Sequence, residues 1–241
     1  VFNECINLKA IARVGIGMDN VNQNDARKAG IKLSNTPEGP TEAVSEMTLA
    51  AALILSRNII PANTALHQKS WEKTIGLGLK NINVLFIGYG RIGQRAASLF
   101  RLFGSKIMVC DPAIKPESLA SGEKLVELQE GLEAADMITI HAGGIDTILS
   151  KEEFQYVKEG AIILNSSRGK LIDEEALILA LDSGKISSAW LDVFSEEPYV
   201  GRLTDYDQVL LTPHISTYTK QCRRDMEITA VKNLLRDLEI E

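Results

Sequence analysis

The chain has 241 residues, of which 45% are hydrophobic and 24% charged, a balance that is ordinary for a globular protein. This composition excludes the collagen-like, disordered and disulfide-scaffold classes. A chain of this length can bury a core without disulfide or metal staples. Its 32 acidic and 26 basic residues give a net charge of −6, so nucleic acid and anionic membrane surfaces are poor candidates for a main partner.

Three cysteines and three histidines are scattered along the chain without the spacing of metal ligands, so no metal site is predicted. The cysteines Cys5, Cys110 and Cys222 form no C-x-x-C pair, and this usage favours a reducing, cytoplasmic location. No apolar stretch reaches the roughly 20 residues that span a bilayer, and residues 1–12 lack the features of a signal peptide. Because the first residue is not methionine, we expect the sequence to be N-terminally incomplete.

The first seventy residues predict two kinds of local structure. Residues 1–40 are rich in Gly, Asn and Pro, which favours short strands and turns. Beyond Thr41, a typical N-cap residue, apolar side chains recur at helical spacing. This periodicity predicts a long helix over 42–60 and a shorter helix over 62–70.

From residue 83 onward, short apolar segments alternate with segments of helical periodicity. Strands are predicted at 83–88, 106–110, 137–141, 161–165, 186–193 and 208–212. Helices are predicted at 91–103, 123–130, 151–156, 174–182 and 218–237. Continuously apolar strands separated by helices are typical of a parallel sheet that is buried on both faces. The sequence therefore predicts an α/β protein with a doubly wound parallel sheet of the Rossmann type.

A G-x-G-x-x-G motif, formed by Gly88, Gly90 and Gly93, follows the first of these strands and opens a helix. Such glycines permit a tight turn, the approach of a pyrophosphate, and close packing of the helix on the strand. Asp111 follows Gly93 by 18 residues, at the end of the next strand, where an acid binds the ribose hydroxyls and repels a 2′-phosphate. The motif predicts NAD as the cofactor, with Lys115 close enough in sequence to soften the preference over NADP. A purely structural turn is the alternative.

Three later strands run into a cation, a carboxylate and an imidazole, carried by Arg168, Glu197 and His214. In an open parallel sheet these segments share the edge at which ligands bind. An arginine can hold a substrate carboxylate bidentately, and a glutamate paired with a histidine favours the protonated imidazole that can deliver a proton. Taken singly, each residue has a structural explanation: a surface ion pair, an exposed loop acid, or a hydrogen-bonded loop histidine.

With these features, the chain resembles the D-isomer-specific 2-hydroxyacid dehydrogenase family, in its phosphoglycerate-dehydrogenase-like branch. The matching stretches run through nearly all of the chain: RVGIGMDNVN, NTPEGPTEAVSEMTLAAALILSR, FIGYGRIGQ, NSSRGKLIDEEALILALDSGKI, LDVFSEEP and LLTPHIS. The resemblance implies that Arg168 orients the substrate and that His214 is the acid/base. It implies Glu197 as the partner of that histidine, rather than Glu196, because the family's glutamate directly precedes the proline.

The resemblance also implies the residues that contact ligands. Those expected to contact NAD are Thr48, Gly88, Gly90, Arg91, Ile92, Gly93, Asp111, Ser166, Ser167, Arg168, Asp192, His214, Ser216 and Thr217. The loop Gly15-Ile16-Gly17 would offer backbone N–H groups to the substrate carboxylate, although a simple turn explains it equally well. Pro40 stands where phosphoglycerate dehydrogenases tend to have a substrate-contacting Asn. The segment after His141 is shorter than the family's loop and lacks its usual proline, so this chain departs from the family at cofactor contacts made there.

The family's discontinuous substrate domain implies a division into three segments. Residues 1–40 would be a remnant of the substrate domain, 41–216 the inserted NAD-binding Rossmann domain, and 217–241 a helix that returns to the partial second α/β domain. The predicted helices over 42–60 and 62–70 would form the arm of a homodimer, with ordinary core packing as the alternative.

Together, these features predict an oxidoreductase that transfers a hydride between NAD(H) and C2 of a small (R)-2-hydroxy or 2-oxo acid. A 3-phosphoglycerate-like acid is one candidate substrate. The alternatives are an NADH-sensing binding protein of the co-repressor type and a catalytically weak fragment. Turnover of a panel of 2-oxo acids would separate the enzyme from the sensor.

Overall fold

The computed structural model describes residue 5 and residues 7–240. Its strands are β1 (Ala10–Ala12), β2 (Lys32–Ser34), β3 (Asn83–Ile87), β4 (Lys106–Cys110), β5 (Lys124–Leu125), β6 (Met137–Ile140), β7 (Ala161–Asn165), β8 (Ile186–Leu191) and β9 (Val209–Leu211). Its α-helices are α1 (Gln23–Lys28), α2 (Pro40–Ser56), α3 (Ile59–His67), α4 (Arg91–Leu102), α5 (Leu128–Ala134), α6 (Glu153–Tyr156), α7 (Glu174–Asp182) and α8 (Lys220–Asp237).

The chain folds as two compact units. The first comprises the described residues up to Val44 and those from Ser216 onward, and the second is Ser45–Ile215. Since α2 spans Pro40–Ser56, the first boundary falls inside this helix.

The smaller unit is a two-stranded parallel sheet covered by one long helix. β1 pairs with β2, and α8 contacts both strands. Met226 of α8 packs with Ala43 and Cys222 in a small apolar cluster. Gly39 lies so close to this cluster that an added Cβ would come within 2.4 Å of the Met226 Cγ. A side chain at Gly39 would therefore require the Met226 side chain to take another conformation in this cluster.

The larger unit contains a seven-stranded sheet in the order β5-β4-β3-β6-β7-β8-β9, with every neighbouring pair parallel. Alternate residues of β3 enter two separate cores: Leu85 and Ile87 pack with α5, α6 and α7, whereas Val84 and Phe86 pack with α2 and α4. Helices thus cover both faces, which explains the continuously apolar strands. The predicted α/β fold with a doubly wound parallel sheet is confirmed.

Three local predictions are wrong. The helix predicted over 123–130 is instead the two-residue strand β5, which pairs with β4, followed by α5. The long helix predicted over 42–60 ends at Ser56, because Asn58 adopts a left-handed conformation with φ +51°, and α3 begins directly after it. Residues 1–40 hold a helix that was not predicted, α1, whose N-cap Asn22 accepts a hydrogen bond from the Asp25 amide.

Among the described residues, no single helix is long and apolar enough to cross a membrane. The pair α2 and α3, bent by 59° at its break, meets the criteria of length and composition only when the two are counted together.

Candidate active site

The residues that end six strands of the large sheet lie in one register row: Cys110, Ile87, Ile140, Asn165, Leu191 and Leu211. The chain leaves the sheet on the same side after each of them. The glycine motif, the candidate acids and the candidate catalytic groups therefore start from one edge, where open α/β sheets bind ligands.

The geometry at the three glycines of the motif differs, and so does the effect that a side chain would have at each position. Gly88 has φ +90°, and a Cβ there would lie 2.4 Å from the Ala142 nitrogen. A Cβ on Gly93 would lie 2.4 Å from the Gly88 oxygen, so the helix could not approach the strand. Gly90 is the N-cap of α4, and a Cβ added there would meet nothing within 4 Å. The turn thus presents a helix N-terminus to open space, as pyrophosphate binding requires.

Asp111 stands beside this turn with its carboxylate held at both oxygens. Oδ2 accepts a hydrogen bond from the Tyr89 amide at 2.7 Å, and Oδ1 accepts one from the Ala113 amide at 2.8 Å. The side chain is partly exposed, so its remaining acceptor positions can receive ribose hydroxyls. The glycine turn and Asp111 together fit the adenosine half of a dinucleotide.

The pair formed by His214 and Glu197 is the clearest chemical feature of the edge. His214 Nδ1 lies 3.0 Å from Glu197 Oε2, and the other carboxylate oxygen accepts a hydrogen bond from the Phe194 amide at 3.1 Å. Both side chains are partly exposed, at 50% and 39%. Because Nδ1 faces the carboxylate, Nε2 is the nitrogen that can exchange a proton with a bound molecule.

A buried network holds the turn that carries His214. The residue has φ +54°, and its amide donates to the Thr212 carbonyl at 2.9 Å. Oδ1 of the fully buried Asp192 accepts hydrogen bonds from the Thr212 hydroxyl at 2.6 Å and the Ile215 amide at 2.9 Å. Trp190 donates its indole N–H to the same hydroxyl. In this structure Asp192 supports the histidine, and its contact with the nicotinamide carboxamide stays a prediction.

Arg168 follows β7, the strand next to β8. The fully buried Asn165 anchors its turn: Nδ2 donates to the Arg168 carbonyl at 2.9 Å, and Oδ1 accepts from the amide and hydroxyl of Ser167. The guanidinium donates to the Ser167 carbonyl at 2.7 Å. Asn165 was not among the predicted site residues, because its role depends on contacts that sequence alone does not show.

Gly169 is a second residue that the sequence reasoning missed. A Cβ there would lie 1.9 Å from the Phe194 carbonyl carbon and 2.3 Å from the Ser195 nitrogen. The turn that carries Arg168 therefore rests directly on the backbone of the loop that carries Glu197. A glycine immediately after an arginine in a strand-to-turn segment was the only signal of this contact.

A cavity of about 580 Å³ opens beside the histidine–glutamate pair. Its walls are mainly apolar and include Phe194, Tyr199 and Leu211. Phe194 and Tyr199 stack with ring centroids 4.3 Å apart. Pockets of this size commonly hold small ligands.

His141 directly follows a strand at the same edge of the sheet, β6, but its surroundings differ from those of His214. Its ring stacks on Phe86 at 5.8 Å, and Nε2 lies 2.9 Å from the Thr139 hydroxyl. Burial lowers the pKa of His141 to about 4, so the ring is neutral near pH 7. It serves as packing beneath the glycine turn, where an added Gly93 Cβ would lie 3.6 Å from its Cβ.

The remaining predicted contacts involve the Gly15-Ile16-Gly17 loop and residues near the glycine turn and the later strand ends. The Gly15 amide donates to the Thr36 hydroxyl at 2.7 Å, so the expectation that this N–H faces a substrate is corrected. Contacts of Ile16 and Gly17 with substrate stay predictions. The predicted NAD contacts of the following residues, of which Thr48 and Ser216 are buried, also stay predictions: Thr48, Arg91, Ile92, Ser166, Ser216 and Thr217.

Across residue 5 and residues 7–240, no group of three or more His, Cys, Asp or Glu side chains comes together in a way that could hold a metal ion.

The sequence and the fold match known dehydrogenases. The model of the NAD-binding domain of D-isomer-specific 2-hydroxyacid dehydrogenases matches residues 49–216. Hydroxypyruvate reductase of Thermotoga maritima is 37% identical over 243 residues, which cover 97% of this chain and 79% of the relative. D-3-phosphoglycerate dehydrogenase of Bacillus subtilis is 34% identical over 98% of this chain, which spans only 46% of that longer protein.

A solved structure extends the similarity to the fold. The glyoxylate reductase from Paecilomyes thermophila superposes with a TM-score of 0.89 at 31% identity, over 95% of this chain and 72% of that protein.

Proposed function

Because the chain belongs to the family of D-isomer-specific 2-hydroxyacid dehydrogenases, we propose that it interconverts a small 2-oxo acid and the matching (R)-2-hydroxy acid, with NAD(H) as cofactor. One observation carries this proposal: the 3.0 Å contact of His214 and Glu197 at the sheet edge that also bears the glycine turn. An acid/base pair beside a dinucleotide site is what such a reaction requires.

Bound NAD supplies the nicotinamide carbon that gives or takes a hydride. In the reducing direction, His214 Nε2 donates a proton to the substrate oxygen at C2, and in the oxidising direction it removes that proton. Glu197 holds the ring through Nδ1, which sets the tautomer and compensates the positive charge when both nitrogens are protonated.

Arg168 is the residue proposed to bind the substrate carboxylate. Its guanidinium offers two parallel N–H donors to a planar carboxylate and draws negative charge away from the neighbouring carbonyl. The strand order places its turn beside the strand that leads to Glu197, and Gly169 brings the two loops into contact.

The cofactor preference is proposed to lie with Asp111. Its carboxylate, held by two backbone amides, would receive the ribose hydroxyls and repel the 2′-phosphate of NADP. The glycine turn would hold the pyrophosphate against the N-terminus of α4.

Candidate substrates come from the names of the relatives: hydroxypyruvate, glyoxylate and the oxidised form of 3-phosphoglycerate. The experiment is a panel of 2-oxo acids offered with NADH, in which oxidation of NADH is followed at fixed protein concentration. We expect turnover with at least one short 2-oxo acid. Binding of NADH without turnover of any of them would contradict the proposed enzyme and favour the nucleotide-sensing alternative.

We also propose a homodimer formed through α3 and the segment that follows it. No residue of α3 is buried within this chain, and Ile59, Leu66, Trp71 and Ile75 are all exposed, Trp71 by 79%. Isolated apolar residues are common on protein surfaces, but several on one arm are typical of an interface. Core packing, the alternative, applies to α2, whose Ala51 and Ala52 are buried in the core, and the proposed interface therefore keeps only α3 and the segment after it.

The domain roles and the location are proposals as well. Residues 1–40 and 217–241 are proposed as parts of a substrate domain, around the NAD-binding domain of residues 41–216. The free thiols of Cys5, Cys110 and Cys222 support a reducing, cytoplasmic location, which fractionation of the host cells would test.

A further inference from the structure

The residue between the first two glycines of the motif is Tyr89, and its side chain turns inward. It is only 4% exposed and packs in the core that contains Phe100 and Val109. Its hydroxyl donates a hydrogen bond to Glu123 Oε2 at 2.5 Å. Burial, and then the bond to Glu123, raise the pKa of Tyr89, so the phenol remains a donor at neutral pH.

Glu123 has a buried carboxylate that accepts three hydrogen bonds. Its side chain is 0% exposed, and besides Tyr89 it accepts hydrogen bonds from Arg101 Nη1 at 2.6 Å and from the Ala120 amide at 2.9 Å. A buried charge is tolerated only when it is paired and hydrogen-bonded in this way. Because the carboxylate is out of reach of solvent, it cannot itself touch a ligand, and the proposed reaction gives it no task.

Tyr89 connects this buried group to the cofactor site through its backbone. The amide of Tyr89 donates to Asp111 Oδ2 at 2.7 Å, while its hydroxyl reaches Glu123. Asp111 and Glu123 are the two ends of the segment that leads from β4 to β5. One residue of the glycine turn therefore holds both ends of that segment, one through its main chain and one through its side chain.

We propose that Tyr89, anchored by Glu123 and Arg101, is a positioning residue that sets the carboxylate of Asp111 and thereby the selectivity for NAD over NADP. This inference rests on the ribose contact proposed for Asp111. The preference depends on where a single carboxylate stands, because that carboxylate both accepts from the ribose hydroxyls and repels a 2′-phosphate. Loss of the anchor at the Tyr89 hydroxyl frees the Tyr89 amide, which holds one of the two carboxylate oxygens of Asp111.

The test compares Tyr89→Phe with Tyr206→Phe. The Tyr206 hydroxyl also donates a hydrogen bond to a carboxylate, that of Asp182, at 2.9 Å. Tyr206 lies next to β9, however, which is the last strand of the sheet at the end away from β4. Dissociation constants for NADH and for NADPH are measured by fluorescence titration of the full 241-residue chain, together with the melting temperature. For Y89F we expect the NADH dissociation constant to rise about tenfold, the loss typical of a hydrogen bond to a charged group, and the preference for NADH over NADPH to fall at least about fivefold. For Y206F we expect neither the NADH dissociation constant nor the preference for NADH over NADPH to change.

A merely structural tyrosine would lower the melting temperature of Y89F and leave the ratio of the two dissociation constants at its parent value. That outcome, or an equal weakening for both nucleotides, overturns the proposal. Glu123→Gln supplies a second variant that keeps the volume and removes the charge, and it should shift the ratio in the same direction. In the double variant the shifts should be less than additive, since both substitutions break one anchor.

Asp111→Ala separates this inference from the contact on which it rests. If D111A changes the ratio and Y89F does not, the positioning role of Tyr89 is wrong while the ribose contact stands. If D111A leaves the ratio unchanged, the proposed ribose contact fails, and the inference about Tyr89 fails with it.

Discussion

His141 and His214 leave the same edge of the sheet, yet their surroundings make them chemically different. His141 is enclosed by Phe86 and Thr139, and burial lowers its pKa to about 4. His214 is half-exposed and faces a carboxylate. His214 is therefore the histidine proposed to exchange a proton with a ligand, and residue type and position at a strand end alone do not distinguish the two.

His141, which is partly buried, leads to a prediction about acid stability. Its pKa is lower in the folded protein, about 4, than the ordinary value of 6.5, so the unfolded chain binds more protons between these values. Stability is therefore lost as pH falls from about 6.5 towards 4, by up to roughly 2 kcal/mol between pH 7 and pH 5 for this one group. His141→Gln, which cannot be protonated, should lose less stability over that interval in denaturant titrations.

The matched control is His67→Gln, at an exposed position on α3. It should lose stability with falling pH as the parent does. Equal acid sensitivity of H141Q and the parent would show that His141 is not held neutral in the folded state.

At the scale of elements, the predictions succeeded where apolar periodicity extends over a whole strand or helix. β3, β6 and β7 are buried on both faces, so their sequences are continuously apolar and were recognised. β5 is only two residues long, and both residues are exposed. Its conformation comes from pairing with β4, so its own sequence carries no apolar pattern that would predict a strand. The six-residue helix α1 was not predicted, because residues 1–40 are rich in turn-forming residue types, and its N-cap Asn22 is itself a type that is common in turns.

The site shows the same division. Arg168, Glu197 and His214 could be proposed from the sequence because each follows a recognisable strand and carries chemistry of its own, and their catalytic roles stay predictions. Their supports could not, since Asn165 acts through its hydrogen bonds to a neighbouring turn and Gly169 through close contact with a loop some 25 residues away in sequence.

The exposed helix α3 gives a prediction at this scale. Replacing Ile59 and Leu66 together by Glu should abolish the proposed dimer, because two charges in an apolar interface would be left without partners. Size-exclusion chromatography with light scattering should give twice the chain mass of 26.4 kDa for the parent and the chain mass for the variant.

Leu179→Glu is the control, since Leu179 is equally exposed, at 56%, on α7. It should leave the mass unchanged. A monomeric parent, or a dimer that survives the double substitution on α3, would contradict the proposed interface.

For the molecule as a whole, family membership makes the chain an NAD-dependent oxidoreductase. The fold explains how one sheet serves both halves of that task. The glycine turn and Asp111, which are proposed to bind the dinucleotide, follow β3 and β4. Arg168, Glu197 and His214, which are proposed to act on the substrate, follow β7, β8 and β9. A single register row aligns the ends of all these strands, so the residues proposed for cofactor and for substrate leave the same edge of one hydrogen-bonded sheet.

The most direct measurement of the central claim is the turnover of His214→Gln on the best 2-oxo acid of the panel, set beside its affinity for NADH. Loss of a general acid should lower turnover by roughly 10²–10⁴. NADH binding should stay within about twofold of the parent, because the contact of residue 214 with NAD is expected through its backbone, which the substitution leaves in place. Glu197→Gln should lower turnover in the same direction, and Glu196→Gln, an exposed neighbour, should not. Turnover by H214Q equal to that of the parent would contradict the account.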